Sequence, residues 1–82
     1  MAVGISEIRK WVESGIKTGA THVIIVCDTF DHEDYPVYVK QNESVKDRVS
    51  YYQRASMQEI MEIYNLSMNI ESQLNEYRAW HM

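Results

Sequence analysis

The run "THVIIVCDTF" over residues 21–30 constrains the fold more than any other stretch. Val23, Ile24, Ile25 and Val26 are consecutive and β-branched. Their stiff side chains suit a strand better than a helix. In a strand, alternation puts Val23, Ile25 and Cys27 on one face and Ile24, Val26 and Phe30 on the other. Both faces are apolar, so both need cover. The apolar run from Val23 to Cys27 is far shorter than the roughly 20 residues of a membrane span.

A second run, "YPVYVK", also reads as a strand. Tyr35, Val37 and Val39 share one face; Tyr38 and Lys40 share the other. Pro36 cannot donate to a ladder and belongs at a strand start or on an edge. Asp31, His32, Glu33 and Asp34 lie between the runs at hairpin-loop length, which predicts an antiparallel β-hairpin. Ahead of it, Ile5, Ile8, Val12 and Ile16 form a helical stripe with Trp11 beside it. Ser6 reads as the N-cap, Glu7 suits the first turn, Gly15 weakens the end, and Gly19 suits a left-handed position after it.

After Lys40, Asn42 or Ser44 can cap a short helix near 44–53 that carries Val45, Val49 and Tyr52. "SMQE" then reads as a capping box of Ser56 and Glu59, opening a long helix from Met57 to about Arg78. One stripe on it is Met57, Ile60, Met61, Tyr64 and Met68. Another is Ile63, Leu66, Ile70, Leu74 and Tyr77. About 22 residues at 1.5 Å make roughly 33 Å, against a radius of gyration of about 12 Å for such a chain. The expected fold is therefore a single α+β domain over 1–82: N-terminal helix, antiparallel β-hairpin, short helix and long C-terminal helix. The second stripe is expected to pack on a partner subunit, giving a homo-oligomer, dimer or higher, through the long helix.

Stability considerations point the same way. A chain of 82 residues buries only about 60–65% of its unfolded surface. One cysteine gives no intramolecular disulfide, and no Cys/His pairs have structural-zinc spacing. Oligomerisation is the remaining common route. The net charge of −4 weighs against direct nucleic-acid binding and against anionic membranes. "MAVGISEIRKW" has no apolar signal-type core. A cytoplasmic setting with Cys27 reduced is expected, and no cofactor is called for.

Asp28, Asp31, His32, Glu33 and Asp34 put four acids and a histidine within seven residues. Their spacing matches no aspartate-nucleophile, calcium-loop, H-E-x-x-H, P-loop or G-x-S-x-G pattern. Two readings remain ahead of metal chemistry. One is a solvated turn whose aspartates bond nearby amides. The other is a recognition loop flanked by Tyr35 and Tyr38, since tyrosines offer contact area at low entropy cost. A second candidate set, Lys40, Arg48, Tyr51, Tyr52 and Arg54, could meet phosphates and stack a base. Cys27 reads as a buried, inert thiol, His22 as a strand-start residue on the surface or at a cap, and His81 as part of a fraying tail in which Trp80 anchors on a neighbouring subunit or lies on its own helix.

"GATHVIIVCDTFDHEDYPVYV", followed by "MQEIMEIYNLSMNIESQLNEYRAWH", resembles a set of small proteins of bacteriophages and prophage-bearing bacteria. The resemblance covers most of the chain after Gly19. It implies a bacterial cytoplasm and an accessory role, often inhibition of host systems or trapping of immune nucleotide signals. It implies no residue roles.

The functional expectation is a non-enzymatic phage accessory protein that binds a host protein through its acidic hairpin, as a counter-defence inhibitor. The alternative is an oligomeric trap for a small nucleotide. Third comes a metal-dependent hydrolase centred on Asp28 and Asp31.

Overall fold

The computed structural model describes residues 4–82. Element order is α1 (Ile5–Lys17), β1 (His22–Asp28), β2 (Glu33–Val39), α2 (Val45–Arg54), β3 (Gln58–Asn65) and α3 (Ile70–Leu74). The three strands form one antiparallel sheet in the order β2-β1-β3. The doubly apolar strand β1 is its centre. One face of the sheet packs Val23, Ile25 and Tyr64 against Ile8 and Val12 of α1 and Leu74 of α3. The other packs Ile24, Val26, Val37, Val39, Ile60 and Ile63 against Val49 of α2.

The hairpin and the first two helices match the sequence reading, with local corrections. Ser44 does cap α2, accepting from the Asp47 N–H at 3.2 Å. Ser6 lies inside α1, and Gly4 is the N-cap, its carbonyl accepting from Glu7 and Ile8 N–H. Gly19 takes φ +81°, the left-handed conformation expected of it. Gly15 does more than end a helix. A Cβ built there would lie 2.9 Å from Val23 Cγ2 and 3.0 Å from Leu66 Cδ1. The glycine lets α1 approach the sheet.

The long C-terminal helix does not exist. Gln58–Asn65 is a strand, and the only helix after it is the five-residue α3. The reason lies in a β-bulge. Ile25 pairs with Glu62 and Val26 with Ile60, so Met61 has no partner on β1. The extra residue resets the alternation. Ile60 and Ile63 fall on the α2 face, while Met61 and Tyr64 fall on the α1 face. Each pair is spaced by three, which in the sequence imitates a helical stripe. The supposed capping box is equally unhelical: Met57 sits at φ +61° in the turn that precedes β3. Of the residues assigned to an intersubunit stripe, Ile63 and Leu74 are buried inside this chain and Tyr77 is exposed, so they do not form one face of a long helix.

The tail does not fray. Ala79 is fully buried, and Trp80 makes a parallel bridge with Ile63. Ile63 N–H donates to Ala79 O at 2.9 Å, and His81 N–H donates to Ile63 O at 3.0 Å. The tail thus covers the outer edge of β3. Gln73 works similarly from α3. Its amide accepts from Asn65 N–H and donates to Asn65 O, both at 2.8 Å, and donates to Asn69 O at 3.1 Å. A buried side chain stands in for a strand neighbour there.

Two outcomes follow for stability. Gly15→Ala gains about 1 kcal/mol of helix propensity but overpacks the α1–sheet contact, so a net loss of roughly 1–2 kcal/mol is expected in urea melts. Gln73→Leu strands the two backbone groups of Asn65, and a loss of about 2–4 kcal/mol is expected in the same measurement.

Candidate functional site

The hairpin turn covers residues 29–32, two residues earlier than the sequence reading placed it, because Asp28 pairs with Glu33 to close the ladder. The aspartates build this turn. Asp28 Oδ1 accepts from Phe30 N–H at 2.9 Å, and Asp31 Oδ1 accepts from Glu33 N–H at 3.3 Å. His32 N–H donates to Asp28 O at 2.7 Å. His32 itself sits at φ +61°, a conformation histidine tolerates better than most side chains. The solvated-turn reading of Asp28 and Asp31 therefore holds for one oxygen of each.

The shift in the turn moves Phe30 out of the strand. Its ring is 76% exposed at the tip, where alternation had put it on the β1 core face with Ile24 and Val26. Thr29 N–H donates to Met57 O at 3.0 Å, tying the tip to the α2–β3 turn. Met57 is also exposed. The tip therefore combines two uncovered apolar side chains with the charges of Asp28, Asp31 and Glu33. The two non-glycine residues with positive φ among those described, His32 and Met57, both lie here. Such strain persists where the surroundings fix the backbone, and it is enriched at functional sites.

The rest of the predicted hairpin set is dispersed. Tyr35 packs toward α2 and its hydroxyl donates to Gln58 Oε1. Burial pushes its phenol pKa up. Tyr38 packs on the opposite face beside α1. Asp34 pairs across the ladder with Cys27. Burial and then the Asp34 carboxylate raise the Cys27 thiol, keeping it in the unreactive form. Among the described residues, no group of three His, Cys, Asp or Glu is placed to hold a metal ion.

The second candidate set is only partly assembled. Lys40, Arg48 and Tyr52 line a shallow groove along the β2 edge; Tyr51 and Arg54 do not. Glu43 lines it too, accepting from Arg48 at 2.6 Å and from Lys40 N–H at 2.9 Å. Those bonds hold the Glu43 carboxyl below its usual range, the Lys40 N–H contributing most. An anion would meet that carboxylate. Tyr51 and Tyr52 stack edge-to-face on each other, 4.9 Å between centroids.

A further carboxyl stands apart from the tip. Glu62 sits next to Ile25 on the α1 face and accepts from the Tyr64 hydroxyl at 2.9 Å. Burial pushes its pKa up, opposed by that bond, by Ala79 N–H and by Arg78. Phe30 and Glu62 are the residues that sequence reading missed. Glu62 was hidden by the helical assignment of β3.

No helix among the described residues is long and apolar enough to cross a membrane. Comparison with family models, with curated proteins and with solved structures gave no match for the chain.

Glu62 gives a pH signature. Its folded-state pKa is raised, so the folded chain holds the proton more tightly than the unfolded chain, and stability is lost as pH rises through that pKa. Glu62→Gln is expected to melt higher than the wild type around pH 7, with the difference closing below the ordinary glutamate range of about 4.3. Thermal melts across that range check it.

Proposed function

We propose that this chain is a non-enzymatic bacteriophage accessory protein that acts in the bacterial cytoplasm by binding a host protein, as a counter-defence inhibitor. The hairpin tip is the binding element. The observation that carries this reading is Phe30, three-quarters exposed in a turn whose backbone is fixed by two aspartate side chains. The exposed Met57 lies on the turn tied to the tip through Thr29 N–H, so Phe30 is not an isolated apolar side chain there. An aromatic anchor ringed by like charges is what a partner with an apolar pocket and a basic rim recognises. The resemblance to phage proteins supports the setting, and the fixed turn keeps the ordering cost of binding low. The nucleotide-trap reading has weaker support, because Glu43 occupies the groove with the basic residues.

The test is capture of the host partner, followed by binding kinetics with purified protein. Phe30→Ala is expected to weaken affinity at least about 30-fold, the loss of a roughly 2 kcal/mol anchor. Asp31→Asn with Glu33→Gln is expected to slow association and flatten its salt dependence, with dissociation little changed. Asp28→Asn keeps the turn-capping oxygen and separates charge from turn geometry. A partner that binds Phe30→Ala and the Asp31→Asn, Glu33→Gln double variant as it binds the wild type, or whose binding ignores salt, overturns the reading.

A further inference from the structure

We infer that the outer edge of β2 accepts a short, uncharged, extended segment of another protein as a fourth strand. Pairing with β1 turns the odd-numbered residues of β2 inward, and Val39 O accordingly accepts from Thr21 N–H. Pro36 and Tyr38 therefore turn their backbone groups outward. Among the described residues, the Pro36 carbonyl and the N–H and carbonyl of Tyr38 have no hydrogen-bond partner. They form a row of acceptor, donor and acceptor, which an extended backbone matches group for group. Helices flank this row on both faces. Ser14 and Thr18 of α1 and Arg48 and Tyr52 of α2 line one groove with Pro36 and Tyr38. Tyr38 packs on the α1 face of the sheet and Tyr52 on the α2 face. A strand added here sets its alternate side chains against one ring and then the other. Arg48 is closed onto Glu43 at 2.6 Å, so this pair calls for no charged group on the segment.

The row is bounded, and its bounds select the occupant. Beyond Tyr38, Lys40 N–H donates to the Glu43 carboxylate at 2.9 Å, and Lys40 O accepts from Glu43 N–H at 3.0 Å. Before Tyr38, Pro36 has no N–H to give. A second copy of the chain presents this same edge. It lacks a donor at Pro36 and has engaged the one at Lys40, so pairing edge to edge leaves a carbonyl of the row unmet in every antiparallel register. A segment with its own run of N–H groups meets all three. The edge shares no residue with the hairpin tip, and the inference is independent of the reading of that tip.

The experiment follows amide signals and amide hydrogen exchange of the whole labelled chain, titrated to millimolar levels with a blocked pentapeptide that alternates valine and threonine. In the free chain the Tyr38 amide is expected to exchange fast beside slow Val37 and Val39 amides. The peptide is expected to shift the Tyr38 signal saturably and to slow its exchange at least about tenfold, the protection of one backbone hydrogen bond. The same peptide N-methylated at every residue is expected not to bind. Pro36→Val adds an outward N–H and is expected to tighten binding about threefold or more. Ser14→Arg, on the exposed α1 wall, is expected to weaken it. A Tyr38 amide already protected in the free chain, absence of saturation, unchanged Tyr38 exchange in the bound state, equal binding of the N-methylated peptide, or indifference of binding to both variants overturns the proposal.

Discussion

The burial of β1 on both faces is the constraint from which the rest of the structure follows. Val23, Ile24, Ile25 and Val26 are each almost fully removed from water. A lone hairpin leaves one edge of such a strand open and both faces wet. The fold answers with a second strand on the other edge and helices on both faces. Close approach is needed on the α1 side, and Gly15 supplies it. On the α2 side Val49 lies over the aliphatic rows of β2, β1 and β3. The core is therefore two thin layers sharing one central strand, which suits a chain too small for one thick core.

The outer edges show the same economy. Val39 O accepts from Thr21 N–H, on the inner side of β2. By alternation Pro36 turns its nitrogen outward, where its missing N–H breaks the row of donors along the free edge. On the opposite edge the tail at Ala79 and His81 satisfies Ile63. Neither edge offers an unbroken ladder to a second sheet.

Much of this was legible from residue types alone. The β-branched run, the proline edge strand, the Ser44 cap and the left-handed Gly19 all follow from local chemistry that the fold leaves undisturbed. β3 was not legible, because periodicity assumes an unbroken element. A single bulged residue at Met61 converted a period of two into a spacing of three, and a serine followed by a glutamate completed the imitation. The position of the hairpin turn was hidden in a similar way on a smaller scale. A turn displaced by two residues took Phe30 from the core to the surface, while Tyr35 and Tyr38 went to the two faces of the sheet, as alternation alone required. The acids were visible in sequence, but the exposure of Phe30 among them depended on the register.

The order of the strands has a consequence for synthesis. A chain made from its N-terminus completes α1 and the β1–β2 hairpin long before β3 exists. During that interval the central strand presents a bare edge to the cell, and its backbone groups can pair with any extended segment, including the same strand of a neighbouring nascent chain. The segment that ends this exposure arrives after α2, and its own edge is closed only by the residues that follow α3. The interval of greatest aggregation hazard is thus set by the distance along the chain between β1 and β3.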